Sequence, residues 1–79
     1  MDEPSGLATA FGTRSGRVAA FDDHVGAGTV TDDATGDVWS FHATSIADAT
    51  RTIAEGTWVW FSVRPGPVGL EAFGLTRRG

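Results

Sequence analysis

The sequence predicts a small all-β domain, a sheet or barrel built from short strands. Three observations carry that prediction. From Gly16 onward, runs suited to strands are separated by turn signals at regular intervals. In the fourth such run Val59, Phe61 and Val63 alternate with Trp58, Trp60 and Ser62, the two-residue period of a strand with unlike faces. The chain has 79 residues and no cysteine, so a single small core must hold without disulfides or thiolate-bound metal.

Residues 1–15, MDEPSGLATAFGTRS, carry Pro, Gly and Ser punctuation without periodicity and read as a flexible N-terminal extension; the domain proper is 16–79. Leu7 and Phe11 stand four apart, which also suits one short amphipathic turn docked on the domain. Strands are predicted at 16–22, 27–32, 37–42, 57–63 and 69–76. Asp22-Asp23-His24 makes the first turn. Asp33-Ala34-Thr35-Gly36 makes the second, with Gly36 available for a positive φ. The connection 43–56 has room for a helical turn around Thr44–Asp48, and long connections in compact domains are often functional. Arg64-Pro65-Gly66-Pro67 is assigned to a loop before the last strand.

Six basic residues, all arginine, stand against ten acidic ones, a net charge of −4. That balance argues against strong long-range attraction to phosphate, but it leaves stacking on a local platform open. Abundant Ala, Gly, Thr and Asp with no lysine fits a GC-rich bacterial genome. No apolar run approaches the ~20 residues of a membrane helix. Met1-Asp2-Glu3-Pro4 lacks the basic and apolar regions of a signal peptide, so a cytoplasmic protein without membrane contact is expected.

Nucleophilic catalysis has no support, since there is no Cys, no Gly-x-Ser-x-Gly elbow and no base placed beside a serine. No enzyme activity and no cofactor are expected. Asp22-Asp23-His24 and His42 lack the spacing of a metal site, and Asp33–Asp37 lacks the closing Glu of a calcium loop. No metal is expected either.

Gly16-Arg17-Val18-Ala19-Ala20-Phe21, Val25-Gly26-Ala27-Gly28-Thr29-Val30, Asp37-Val38-Trp39-Ser40-Phe41-His42, and the run from Arg51 to Val63 form one ordered framework. With Gly69, Glu71-Ala72 and Leu75 in the last strand, this framework resembles the cold-shock domain family over about residues 16–76. The resemblance implies a five-stranded antiparallel Greek-key OB-fold barrel. It also implies binding of single-stranded RNA or DNA, as in RNA chaperones and gene-expression regulators: bases stack on exposed rings of the first three strands, and flanking basic side chains meet phosphates.

Against the family's first motif, Lys-Gly-Phe-Gly-Phe, this chain has Val25-Gly26-Ala27-Gly28-Thr29. The family's Lys-Trp before the first-strand Phe is here Ala19-Ala20, and an aromatic in the long connection is replaced by Thr50. Three stacking rings of the first two strands are therefore missing, at Ala20, Ala27 and Thr29, besides the one at Thr50. Stacking is worth roughly 1–3 kcal/mol per base. Micromolar affinity totals only about 8 kcal/mol. Weak binding is expected. In the second motif, Trp39 and Phe41 are the expected stacking pair, His42 and Phe21 the edge contacts, and Arg17 and Arg51 the phosphate contacts. The family order of His then Phe is exchanged here, and Ser40 falls where an inward valine is expected, so its hydroxyl needs a partner.

Trp58 and Trp60 project outward if Val59, Phe61 and Val63 face the interior. Two neighbouring exposed indoles form the kind of apolar patch that marks a partner surface, which makes a protein-interaction module or homodimer the alternative function. Cover by Leu7 and Phe11 is the other account of that patch, and stacking of nucleic acid on it is a third. Arg14, Arg77 and Arg78 lie near the ends of the domain, where they form a modest basic patch if the first and last strands are neighbours.

Overall fold

The computed structural model describes residues 12–48 and 50–78. It contains five strands: β1 (Arg14–Asp22), β2 (Ala27–Asp32), β3 (Val38–His42), β4 (Trp58–Gly66) and β5 (Gly69–Arg77). They close into a barrel in the order β1-β2-β3-β5-β4. β1 to β3 form a meander, and the long connection after β3 carries β4 back beside β1, the Greek-key return. Four seams are antiparallel. The fifth, between β3 and β5, is parallel, joined at Ser40 and Glu71 and supported by the Ile46–Leu75 bridge. An odd number of strands cannot close with every neighbour antiparallel, so one such seam is required.

Each hairpin has a local cause. Asp22 Oδ1 accepts the backbone N–H groups of His24 and Val25 across the first turn. Asp32 Oδ1 does the same for Ala34 and Thr35 across the second. That turn then closes at Gly36, whose φ of 79° is open to glycine at no steric cost. After β3 the chain makes a short 3-10 turn, Ala43–Ser45, which overlaps the start of the Thr44–Asp48 stretch where a helical turn is predicted.

Two boundaries depart from the sequence reading by more than one residue. β1 begins at Arg14, inside the expected extension, because Arg14 and Ser15 pair with Phe61 and Trp60 of β4. β4 runs on through Pro65 to Gly66, where a loop is expected. Among the described residues only β5 pairs with β4 beyond Phe61, and a proline is tolerated in a strand where its missing N–H is not called on by a neighbour. Leu7 and Phe11 lie outside the described residues.

The core is formed by Val18, Val30, Phe41, Ile53, Val59, Phe61 and Leu75, with Ile46 and Ala72. Val59 and Phe61 face inward as their alternation predicts, with Val63 packed against the same cluster. One end of the interior is polar. Asp32 is buried, and Arg14 Nη1 donates to its Oδ2 at 2.8 Å. Burial pushes the Asp32 carboxyl up, but the Arg14 hydrogen bond, the N–H groups of Ala34 and Thr35, and the Arg14 charge together hold it below its ordinary value. The Arg14 guanidinium carbon also lies 5.5 Å from the centre of the Trp39 ring.

Candidate functional site

The outer surface of β1, β2 and β3 follows from their register. Residues directly opposite one another in an antiparallel pair share a face. Arg17 lies across from Thr31, and Thr31 from Val38. Ala20 lies across from Thr29 and Thr29 from Ser40, while Ala27 lies across from His42. A bulge between Val18 and Ala20 leaves both Ala19 and Ala20 exposed. This face is therefore a shallow track of small side chains with one ring, that of His42. Ala20, Ala27 and Thr29 do stand on it, with no ring at any of the three.

The pair predicted to stack bases does not stand there. Phe41 is 1% exposed, and Trp39 is half-buried and packed against the core. Their partners explain the difference: Trp39 lies opposite the buried Val30, and Phe41 opposite Gly28. A Cβ at Gly28 would overlap the Ala20 carbonyl and come within 3.0 Å of the Phe21 and Phe41 rings. The absence of that Cβ is what lets Phe41 fill the barrel. The strand presents Val38, Ser40 and His42 outward instead. Ser40 is exposed, so its hydroxyl needs no buried partner.

Phe21 is half-buried and stacks on Phe41, with centroids 5.9 Å apart and planes within 12°. One of its faces is thus occupied, and its remaining edge borders a depression shared with Thr52, Ala54 and Glu55. Arg17 does reach the outer surface, but its guanidinium carbon lies 4.9 Å from the centre of the Trp58 ring, on the β4 side. Arg51 is exposed in the long connection at a φ of 64°. It borders a groove with Arg64 and Phe73 that also takes in Ala43, the residue after His42.

The terminal arginines divide. Arg14 is committed to Asp32 and Arg77 to an ion pair with Asp48. The Asp48 carboxyl is held below its ordinary value by the Thr50 N–H and hydroxyl first, then by Arg77. Arg78 alone joins the outer surface. Its guanidinium carbon lies 4.8 Å from the Trp60 ring centre and 5.3 Å from that of Trp58, and its Nη1 donates to Ser15 Oγ at 2.9 Å. The β1–β4 register builds this second cluster, pairing Arg17 with Trp58 and Ser15 with Trp60. The strand alternation predicted the outward indoles. The cations beside them were hidden, because their proximity depends on cross-strand register.

Among the described residues no three His, Asp or Glu side chains gather where they could hold a metal ion. No helix among them is long and apolar enough to cross a membrane. No family model matches the chain. One relative is the cold shock-like protein CspA of Stigmatella aurantiaca (strain DW4/3-1). It is 42% identical over 59 residues, covering 73% of this chain and 87% of the relative.

Proposed function

This chain belongs to the cold-shock domain family, and we propose that it binds single-stranded RNA or DNA, in the manner of an RNA chaperone or gene-expression regulator. The observation that carries the proposal is the closed five-stranded barrel of a chain 42% identical to a cold shock-like protein. On the outer face of β1–β3 the contacts are the His42 ring and the free edge of Phe21, with Arg17 and Arg51 at the margins for phosphate. Trp39 and Phe41 support the face from within.

Binding on that face is weak. A single accessible ring contributes roughly 1–3 kcal/mol of stacking, far short of the ~8 kcal/mol of a micromolar complex. An NMR titration of labelled protein with short oligo-dT and oligo-rU at low salt tests the function. Saturable shifts that weaken as salt rises are expected, because each phosphate contact releases counterions. No shift anywhere at millimolar oligonucleotide would remove the proposal.

A further inference from the structure

We propose that the principal stacking platform for the single strand is the outer face of β4 and β1, where a base lies on Trp60 while Arg17 and Arg78, ordered by Trp58, hold the flanking phosphates. This rests on the reading of the chain as a single-strand binder and says where the strand lies.

Exposed rings come first. Trp58 is 39% exposed and Trp60 43%, against 1% for Phe41. Of these two indoles, Trp58 has guanidinium groups from both Arg17 and Arg78 within 5.3 Å of its ring centre. Trp60 has only Arg78, at 4.8 Å. Beyond Trp60 the surface dips into a shallow depression bordered by Thr13, Ser62, Gly74 and Thr76. Trp60 is thus the ring with room for a base, and Trp58 is the ring that positions cations.

Charge comes second. The protein carries a net charge of −4, with two arginines committed to carboxylates among the described residues. Two of the other four, Arg17 and Arg78, converge on the two exposed indoles. A guanidinium over a ring keeps N–H groups at its edge for phosphate oxygens, the geometry of phosphate recognition by arginine, and Arg78 gives one of its own to Ser15 Oγ. Asp33 borders the patch beside Arg78, and Asp33 and Glu55 line the depression beside Arg17, so the cations are local to the indoles. Rings interleaved with cations match the stacking bases and anionic backbone of a single strand.

The same charges weigh against a homodimer through this face. In a two-fold interface each patch meets its own copy, so Arg17 and Arg78 would confront cations of the same patch.

The test uses the full chain and the three indole N–H signals as separate reporters of Trp39, Trp58 and Trp60. With oligo-dT or oligo-rU at low salt, Trp60 and Trp58 should shift and broaden more than Trp39. Trp60→Ala should weaken binding about 5- to 150-fold, the equivalent of one stacked base, while Trp60→Phe retains most of it. Arg78→Ala should flatten the slope of log affinity against log salt by about 0.7 for one lost phosphate contact. Preserved amide dispersion in each variant separates lost contact from lost fold. His42→Ala, on the β1–β3 face, removes the minor contact and should change affinity less than Trp60→Ala.

Shifts centred on Thr29, Ser40 and His42, with Trp60→Ala binding as wild type, would overturn the platform and leave the single-strand function standing. No shift at any residue would overturn both. Indole shifts that follow protein concentration and ignore oligonucleotide would show a second copy on this face and overturn the platform.

Discussion

Two outer faces of one barrel share β1 and differ in almost everything that matters for recognition. Across β1–β3 the outward side chains are Ala20, Ala27, Thr29, Thr31, Val38, Ser40 and His42, small or polar with a single ring. Across β1 and β4 they are Ser15, Arg17, Trp58 and Trp60, with Arg78 reaching in from the end of β5. The first face has the strands on which the family's mechanism places its rings, and little to stack on. The second has the rings and the cations. A fold fixes where faces are, and the side chains placed on each decide what it can bind. Arg17, paired with Thr31 on one side and Trp58 on the other, marks the boundary.

The sharpest way to break this contrast is to show that its inside and outside are misassigned. Phe41→Ala removes a fully buried ring and should destabilise the domain by about 3–5 kcal/mol, read as a lower urea midpoint with the slope retained. Oligonucleotide affinity of the folded fraction should barely move. If stability held and affinity fell, Phe41 would be an outward stacking ring and β1–β3 the aromatic face after all.

The next effect comes from the polar end of the core. Asp32→Asn leaves Arg14 without its carboxylate in a largely buried site, a loss of about 3 kcal/mol, since breaking one side of a buried pair strands the other charge. The pH dependence has a definite sign. The folded-state pKa of Asp32 is depressed, so its stabilisation is complete above the unfolded pKa of about 3.9 and is lost as pH falls through the folded value. Wild type should therefore lose stability below about pH 4 as Asp32 protonates, and Asp32→Asn should lose less over the same interval. Parallel acid limbs for the two proteins would mean the pair contributes nothing. Arg14 touches Trp39 from within, so the variant also asks whether this pair keeps that indole off the β1–β3 face.

How much of this was legible follows from the kind of information each feature needs. The strands were readable because alternation and turn residues are local: Val59 and Phe61 against Trp58 and Trp60, Asp22 and Asp33 opening the predicted turns, Gly36 closing one. The phase of β3 was not. Trp39 and Phe41 share one side of the strand and Val38, Ser40 and His42 the other, but alternation alone does not say which side is inside. The resemblance implied rings outward. The structure buries Phe41 against Gly28, and a one-residue difference in register transfers every side chain to the opposite face. The gathering of Arg17 and Arg78 on the indoles was likewise invisible, since it arises from pairing between strands far apart in sequence. Pro65 misled for a related reason: its place in β4 depends on pairing with Leu70 of β5, and no local signal carries that.

A gain of function sharpens the contrast from the other side. Ala27 and Thr29 lie opposite His42 and Ser40 on the ring-poor face. Ala27→Phe with Thr29→Phe should add roughly 1–3 kcal/mol of stacking per ring and move oligonucleotide-induced shifts toward β2 and β3. Tighter binding without such movement would mean the new rings act through something other than stacking on that face. Unchanged affinity would show that the backbone path of the strand does not cross β1–β3 at all.

The smallest expected effect separates two adjacent arginines with the same charge. Arg77 is spent on the long connection: it pairs with Asp48, and its Nη2 donates to the Thr52 carbonyl at 2.8 Å. Arg78 lies over Trp58 and Trp60. Arg77→Ala removes an exposed ion pair, a class of contact that contributes little to stability, so the urea midpoint should move only slightly. The Asp48 carboxyl should rise only part of the way to its ordinary value, because the Thr50 N–H and hydroxyl hold it down ahead of Arg77. The small stabilisation from Asp48 is present above its unfolded pKa and disappears as pH falls through the depressed folded value, in the variant as in wild type. Oligonucleotide affinity should stay closer to wild type in Arg77→Ala than in Arg78→Ala. Were both variants to weaken binding equally and with the same salt slope, the interaction would depend on the net charge at that end of the barrel. A larger loss for Arg78→Ala, with a flatter salt slope, is what a guanidinium held against an indole and pointed at one phosphate requires.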